Sequence, residues 1–150
     1  MSNHLYDRVF APHEDSTKPF LIGETQTLSY ATFHEQVNKL ARALIASGLK
    51  TGDRVAVQAA KSNTQLALYV ATIKAGGVYL PLNTSYTALE LDYFISNAQA
   101  RLVVVDEKAQ KAVTPIAEAQ KAKLLTLNAD ESGTLPALAE QQPAHFEAVA

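Results

Sequence analysis

Thr51-Gly52-Asp53-Arg54-Val55-Ala56-Val57-Gln58, then the run from Asn63 to Ala75, then Gly76-Gly77-Val78-Tyr79-Leu80-Pro81-Leu82: the fold is decided here. The Gly-Asp turn leads into a short apolar run, Arg54 to Gln58, of strand length. From about Asn63 to Ala75 the apolar residues follow a helical period, with Leu66, Val70 and Ile73 inward and Tyr69 beside them. Gly76-Gly77 ends that helix, and Val78 to Leu82 reads as a second strand. A strand, a helix and a strand in this order predict parallel pairing, because the crossover helix brings the chain back to the same sheet. Pro81 offers no N–H to a ladder, so it predicts a sheet edge or a strand end.

The alternation continues downstream. Thr87 and Glu90 have the spacing of a capping box, which predicts a helix over Ala88 to Ala98. Arg101 to Val105 is a continuous β-branched run, as expected of a parallel strand covered on both faces. A helix follows over about Glu107 to Gln120, expected to be disturbed or divided at Pro115. Leu124 to Leu127 reads as another strand, 130–133 as a loop, and Thr134 to Gln141 as a short helix. The tail from Gln142 to Ala150 has no clear period.

Upstream the pattern is less regular. Asn3 to about Ala11 would set Leu5, Val9 and Phe10 on one helical face. Phe20-Leu21-Ile22 and Thr27-Leu28-Ser29-Tyr30, with Gly23-Glu24 between them, predict a small hairpin. The clearest helix comes next: Phe33, Val37, Leu40, Ala41, Leu44 and Ile45 share one face. Ser29 or Thr32 is placed to cap its start, and Gly48 to end it. The fold class expected is α/β: a three-layer, largely parallel sheet with crossover helices and a small irregular, hairpin-bearing lead-in. No domain boundary divides residues 1–150.

The composition is that of an ordinary globular chain: 150 residues, 47% apolar, 19% charged, formal charge −2. That balance leaves no basic footprint for nucleic acid. Zero cysteines exclude a disulfide framework, a thiolate metal site and a cysteine nucleophile, and a reducing cytoplasm is the expected setting. The start has no apolar core for a secretory signal. The most apolar stretch, Leu66 to Leu82, is broken by Lys74, Gly76, Gly77 and Pro81 and is shorter than the ~20 residues of a spanning helix, so no membrane partner is expected.

Open α/β sheets bind ligands at the C-terminal ends of their strands. The loops to inspect are therefore Ala59 to Ser62, Asn83-Thr84-Ser85-Tyr86-Thr87, and Asp106 with its neighbours. Asp106 ends a strand, where a ribose-binding acid or a phospho-acceptor can sit, and where turn and cap residues also sit. Neither GxGxxG nor GxxxxGK[ST] is present. Lys74-Ala75-Gly76-Gly77 looks like a phosphate loop but lies at a helix C-terminus, whose dipole repels anions. His34-Glu35 begins like a zincin motif, yet Asn38 stands where the second histidine is required. An amphipathic helix with an exposed polar face accounts for that pair. His4, His13 and His145 are expected at the surface, and Ser62, Ser85 and Ser132 are loop serines without an evident base.

The ordered motifs resemble a family. Leu28-Ser29-Tyr30-Ala31-Thr32-Phe33, Gly48 through Val57, and above all Ile73-Lys74-Ala75-Gly76-Gly77-Val78-Tyr79-Leu80-Pro81-Leu82-Asn83 are similar to core segments of the adenylate-forming acyl-CoA synthetases. The opening Ser2-Asn3-His4-Leu5-Tyr6-Asp7 and the stretch Thr84 to Ile95 resemble most closely the malonyl-CoA synthetases among them. The likeness fades after about Leu127.

The resemblance implies a two-step ligase. Carboxylate and ATP give an acyl-adenylate and pyrophosphate; the thiol of coenzyme A then takes the acyl group and releases AMP. It implies ATP, magnesium, coenzyme A and a small carboxylic acid as the ligands of the full-length protein. Family members are several times longer, and their phosphate loop, adenine site and catalytic lysine lie in segments without a counterpart here. No catalytic, cofactor-binding or metal residue is carried onto a position of this chain; Ser85 is the nearest to a basic residue that approaches coenzyme A in some relatives. The expectation is an N-terminal piece of an AMP-binding domain over residues 1–150. Its partners would be the remaining segments of the same enzyme. It should bind no cofactor and be inactive alone, with an unsealed strand edge and uncovered apolar faces. The alternative is a non-catalytic interaction module built on this sheet; a stand-alone nucleotide-binding protein is a third.

Overall fold

The computed structural model describes residues 3–150, so Met1 and Ser2, the latter in the opening motif, lie outside the described residues. The chain begins with helix α1 (His4–Val9) and a 3-10 turn (Ala11–His13). Strands β1 (Pro19–Ile22) and β2 (Thr27–Ser29) pair antiparallel as the expected hairpin, closed by Gly23 N–H donating to the Gln26 carbonyl at 2.9 Å. Then come α2 (Tyr30–Ala46), β3 (Arg54–Gln58), α3 (Asn63–Lys74), β4 (Val78–Pro81), α4 (Ala88–Ala98), β5 (Leu102–Val105), α5 (Glu107–Ala119), β6 (Lys123–Thr126) and α6 (Thr134–Glu140).

β3 to β6 form one parallel sheet in the order β4-β3-β5-β6. The expected α/β architecture, with helices on both faces, is what the chain adopts. Alternate strand residues divide between two cores. Val55, Val57, Leu102, Val104, Leu125 and Leu127 face α2, α3 and α6. Ala56, Val103 and Val105 face α4 and α5, meeting Leu91, Ile95, Val113 and Ala117. All of β5 is buried, the two-sided cover that its unbroken apolar run requires. β4, with Pro81, is an edge strand. β6 is the other edge, and there Thr126 N–H donates to Thr134 Oγ1 at 2.8 Å while Thr134 N–H donates back to Thr126 Oγ1 at 2.9 Å.

Local chemistry sets the helix ends. Ser29, not Thr32, caps α2, accepting the Thr32 N–H at 3.1 Å. Gly48 follows α2 at φ 97° and Gly76 follows α3 at φ 77°, conformations open to glycine at no steric cost. Thr87 and Glu90 form the reciprocal capping box of α4.

Several expectations are corrected. In α1 it is Tyr6 that is buried, whereas Leu5 and Val9 are exposed, because Tyr6 reaches a polar cluster under the helix. Ile45 is exposed, one position off the buried face of α2. α3 is sandwiched between neighbours, so Ala67, Leu68, Ala71 and Thr72 are buried in addition to Val70. Leu66, Tyr69 and Ile73 are partly buried against that core. Pro115 does not divide α5: it sits on the exposed side, and the buried Val113 and Ala117 hold the helix through it. Boundaries shift by one residue at β5 and β6. The tail 142–150 forms no helix or strand but is strapped across α2 and α3. Asn38 donates to the Ala144 carbonyl at 2.8 Å, Arg42 to the His145 carbonyl at 2.5 Å, and Val149 N–H to the Lys74 carbonyl at 2.8 Å. Among the described residues no helix is long and apolar enough to cross a membrane.

Candidate functional site

The C-terminal ends of the strands carry the loops singled out in the sequence, and the structure brings them together. At the end of β3, the buried Gln58 amide donates to the carbonyls of Asn83 at 2.9 Å and Tyr86 at 3.2 Å. Asn83 Oδ1 in turn accepts from the backbone and the hydroxyl of Ser85, at 2.9 and 2.8 Å. Tyr86 stacks on Phe94 with ring centres 5.0 Å apart. The polar loop after β4 is thereby held by one side chain of the neighbouring strand and by its own turn.

Asp106 caps α5, its carboxylate accepting the Lys108 N–H at 2.9 Å. The next free amide, Glu107 N–H, donates to Asn128 Oδ1 at 2.9 Å. A cavity of about 260 Å³ opens between Gln58, Ala59, Ala60, Thr84, Asp106 and Lys108. A neighbouring hollow of about 300 Å³ is lined by Asp106, Glu107, Lys108, Asn128 and Asp130. That lining sets three carboxylates against one lysine. Such a set does not fit a triphosphate, which needs cations and amide donors converging on its oxygens. Among the described residues no group of three acidic or histidine side chains is arranged to hold a metal ion.

The remaining candidates have structural duties. Ser62 caps α3, accepting the Gln65 N–H at 3.0 Å. Ser132 donates to Asp130 at 2.5 Å, and with the Ser132 backbone N–H this holds the Asp130 carboxyl below its ordinary range. His4, His13 and His145 are exposed as expected. Lys74 ends α3, as the helix-cap reading requires, but it is buried at 2% exposure rather than solvated. His34 is likewise buried at 3%, so the expected exposed polar face is corrected at that position.

Both belong to a cluster that local sequence does not announce. Lys74 Nζ donates to Glu14 at 2.7 Å and to Asn38 Oδ1 at 2.6 Å, and lies 4.8 Å from the Tyr6 ring centre. The Tyr6 hydroxyl hydrogen-bonds Glu14 and stands 3.3 Å from His34 Nδ1. Burial, then the Glu14 contact, pushes the Tyr6 hydroxyl far up. Burial raises Glu14, but hydrogen bonds from Lys74 and Tyr6 outweigh it and hold the carboxyl below its ordinary value. Burial lowers His34. A second unannounced tie is Glu131, whose carboxylate accepts the Thr64 N–H at 2.9 Å and also bonds the Thr64 hydroxyl.

Residues 10–149 match the family model of the AMP-binding enzymes, and the chain belongs to that family. Among solved structures it is similar to ATP-bound MatB from Rhodopseudomonas palustris, at 39% identity and a TM-score of 0.95, over 99% of this chain and 30% of that one. Among curated proteins it is 34% identical, over 65% of its length, to the fatty acid–[acyl-carrier-protein] ligase ScoC of Streptomyces coeruleorubidus. It is 36% identical, over 67% of its length, to the phenylacetyl-CoA ligase epaB of Aspergillus niger. The match spans 19% of each of those two proteins. A benzoate CoA ligase from Burkholderia xenovorans, 20% identical at a TM-score of 0.80, shares the fold.

Proposed function

We propose that this chain is the N-terminal scaffold of an adenylate-forming acyl-CoA ligase of the malonyl-CoA synthetase kind, and that alone it does not catalyse. The observation that supports this reading most is the alignment of 99% of the chain with less than a third of MatB. In the whole enzyme, carboxylate and ATP would give acyl-adenylate and pyrophosphate, and coenzyme A would then take the acyl group with release of AMP. Magnesium would accompany the nucleotide.

The part played by these 150 residues is positional. Gln58 fixes the loop after β4, and Glu131 ties the loop after β6 to α3. These ties set the floor at the strand ends. The acidic lining there leaves the triphosphate charge to be met by segments outside this chain.

The test is malonate-dependent ATP–pyrophosphate exchange with purified 1–150. No exchange above blank is expected, and a malonate-dependent rate above blank overturns the reading. Mixing with a separately expressed polypeptide carrying the rest of such an enzyme should restore exchange. Replacing malonate with phenylacetate or a fatty acid in the restored mixture identifies the acid.

A further inference from the structure

The cluster around Lys74 takes no part in the strand-end site, which lies at the other end of the sheet. It joins four separate pieces of chain: α1 with the segment after it, α2, α3 and the tail. Tyr6 and Glu14 come from the first, His34 and Asn38 from α2, and Lys74 from α3. Beside them is a cavity of about 260 Å³, lined on the tail side by His145, Phe146 and Glu147. Other ties hold the lead-in at its two ends: Asn3 donates to the Ile73 and Val149 carbonyls, Phe10 and Ala11 pack on the core, and the Ser16 carbonyl accepts the Ala31 N–H at 2.9 Å. Between them α1 is six residues long, and Leu5 and Val9 face solvent.

We propose that residues 3–16 form a clasp that mild acid opens, with His34 as the group whose protonation releases it. The charges facing His34 are Glu14, Asp15 and His13 from the lead-in and Lys74 from α3. Glu14, the carboxylate inside the cluster, is already engaged by Lys74 and the Tyr6 hydroxyl. Asp15 is exposed. A proton on the buried ring sets a second cation near Lys74; Glu14 and, more weakly, Asp15 favour that proton, but burial together with Lys74 and His13 outweighs them. Undocking the lead-in removes Tyr6 from the ring and lets the imidazolium hydrate.

The sign follows from linkage. A base whose affinity for protons is lower in the docked state favours docking above its ordinary pKa of 6.5 and opposes it as pH falls below that value. Each unit of depression multiplies the open fraction up to about tenfold. Glu14 stays ionised through this window, because its carboxyl is held below 4.5. Opening should also loosen the tail, since the Asn3 side chain donates to the Val149 carbonyl at 3.1 Å.

Hydrogen exchange read by mass spectrometry tests this on the 150-residue chain, with labelling times scaled for the intrinsic rate at each pH. Between about pH 7.5 and about pH 5.5, protection of peptides within 3–16 should fall several-fold, up to about tenfold. Peptides of β3 and β5 should not change. Unchanged protection over 3–16, or an equal loss throughout the chain, overturns the proposal. His34→Gln, which keeps a polar group but cannot become charged, should make the lead-in insensitive to pH in this window. A pH response like that of the wild type overturns the proposal. If that variant does not fold, titration of the His34 ring in the wild-type chain decides. A midpoint below 6.5 that tracks the opening supports the clasp, and one at or above 6.5 overturns it.

Discussion

Glu131 and Thr64, 67 positions apart, are joined twice: one carboxylate oxygen of Glu131 accepts both the backbone N–H and the hydroxyl of Thr64. Thr64 sits in the first turn of α3, whose N–H groups have no partner inside the helix. Glu131 supplies that partner from a backbone at φ 68°. Gln36 from α2 donates to the same threonine hydroxyl at 2.7 Å. Glu131→Gln should cost about 1 kcal/mol and Glu131→Ala about 2 kcal/mol, the range of charge-assisted hydrogen bonds. A lower urea midpoint at unchanged slope is the expected measurement.

Gly133 and Gly52 both adopt positive φ, at 132° and 82°, yet they differ in what surrounds them. A Cβ on Gly133 would stand 2.4 Å from the Thr126 carbonyl oxygen, whereas one on Gly52 would meet nothing within 4 Å. Gly133→Ala combines a backbone clash with strain and should cost about 3–5 kcal/mol, separating α6 from the edge of β6. Gly52→Ala carries the strain alone, about 1–2 kcal/mol. Chemical denaturation of the two variants side by side tests the ranking.

Asp106 caps α5. Asp106→Ala should cost about 1 kcal/mol and lower the melting temperature by roughly 2–4 °C, while Asp106→Asn, which keeps a capping oxygen, should be nearly neutral. In an assembled ligase Asp106→Asn should retain activity if capping is the residue's whole duty. A large loss of kcat/KM with an unchanged melt would assign Asp106 to the chemistry instead.

Acid should destabilise the fold in a defined window. The Glu14 carboxyl is held below its unfolded value of 4.5, so its contribution is complete above that pH and disappears as pH falls through the folded value. Glu14→Gln should flatten the pH dependence of the urea midpoint below about pH 5, leaving the slope at lower pH to other carboxylates. The same variant at neutral pH leaves buried Lys74 without its anion, so it should also be less stable there.

Local rules made much of the fold readable. The spacing of Thr87 and Glu90 is a complete capping signal within four residues, and the proline at position 81 limits its strand to an edge. Val103-Val104-Val105 could only be covered on both faces. Failures occur where a distant partner decides. Tyr6 is buried in place of Leu5 and Val9 because Glu14, His34 and Lys74 satisfy its hydroxyl and ring, and no period in 3–11 records them. His34 reads as polar surface by type, but its partners lie on another segment. Pro115 reads as a breaker by type, yet on an exposed face it displaces only a carbonyl that water can meet. The tail is held by backbone carbonyls, by the Val149 N–H and by Phe146 packed under the Arg42 guanidinium; backbone groups and one isolated aromatic give its sequence no period that marks docking. At the strand ends, Asn83 and Asp106 are identifiable by position, whereas Gln58 acts on a loop 25 residues away and Glu131 on a helix start 67 residues away.

The Asn3 amide bridges the carbonyls of Ile73 and Val149, so entry and exit of the polypeptide share one doorway beside the start of β4. With Asn3 and Val149 side by side, the layers between them close on themselves without one segment threading past another. The C-terminal rims of the strands, with Gln58 and Asp106, lie on the far side, clear of that junction.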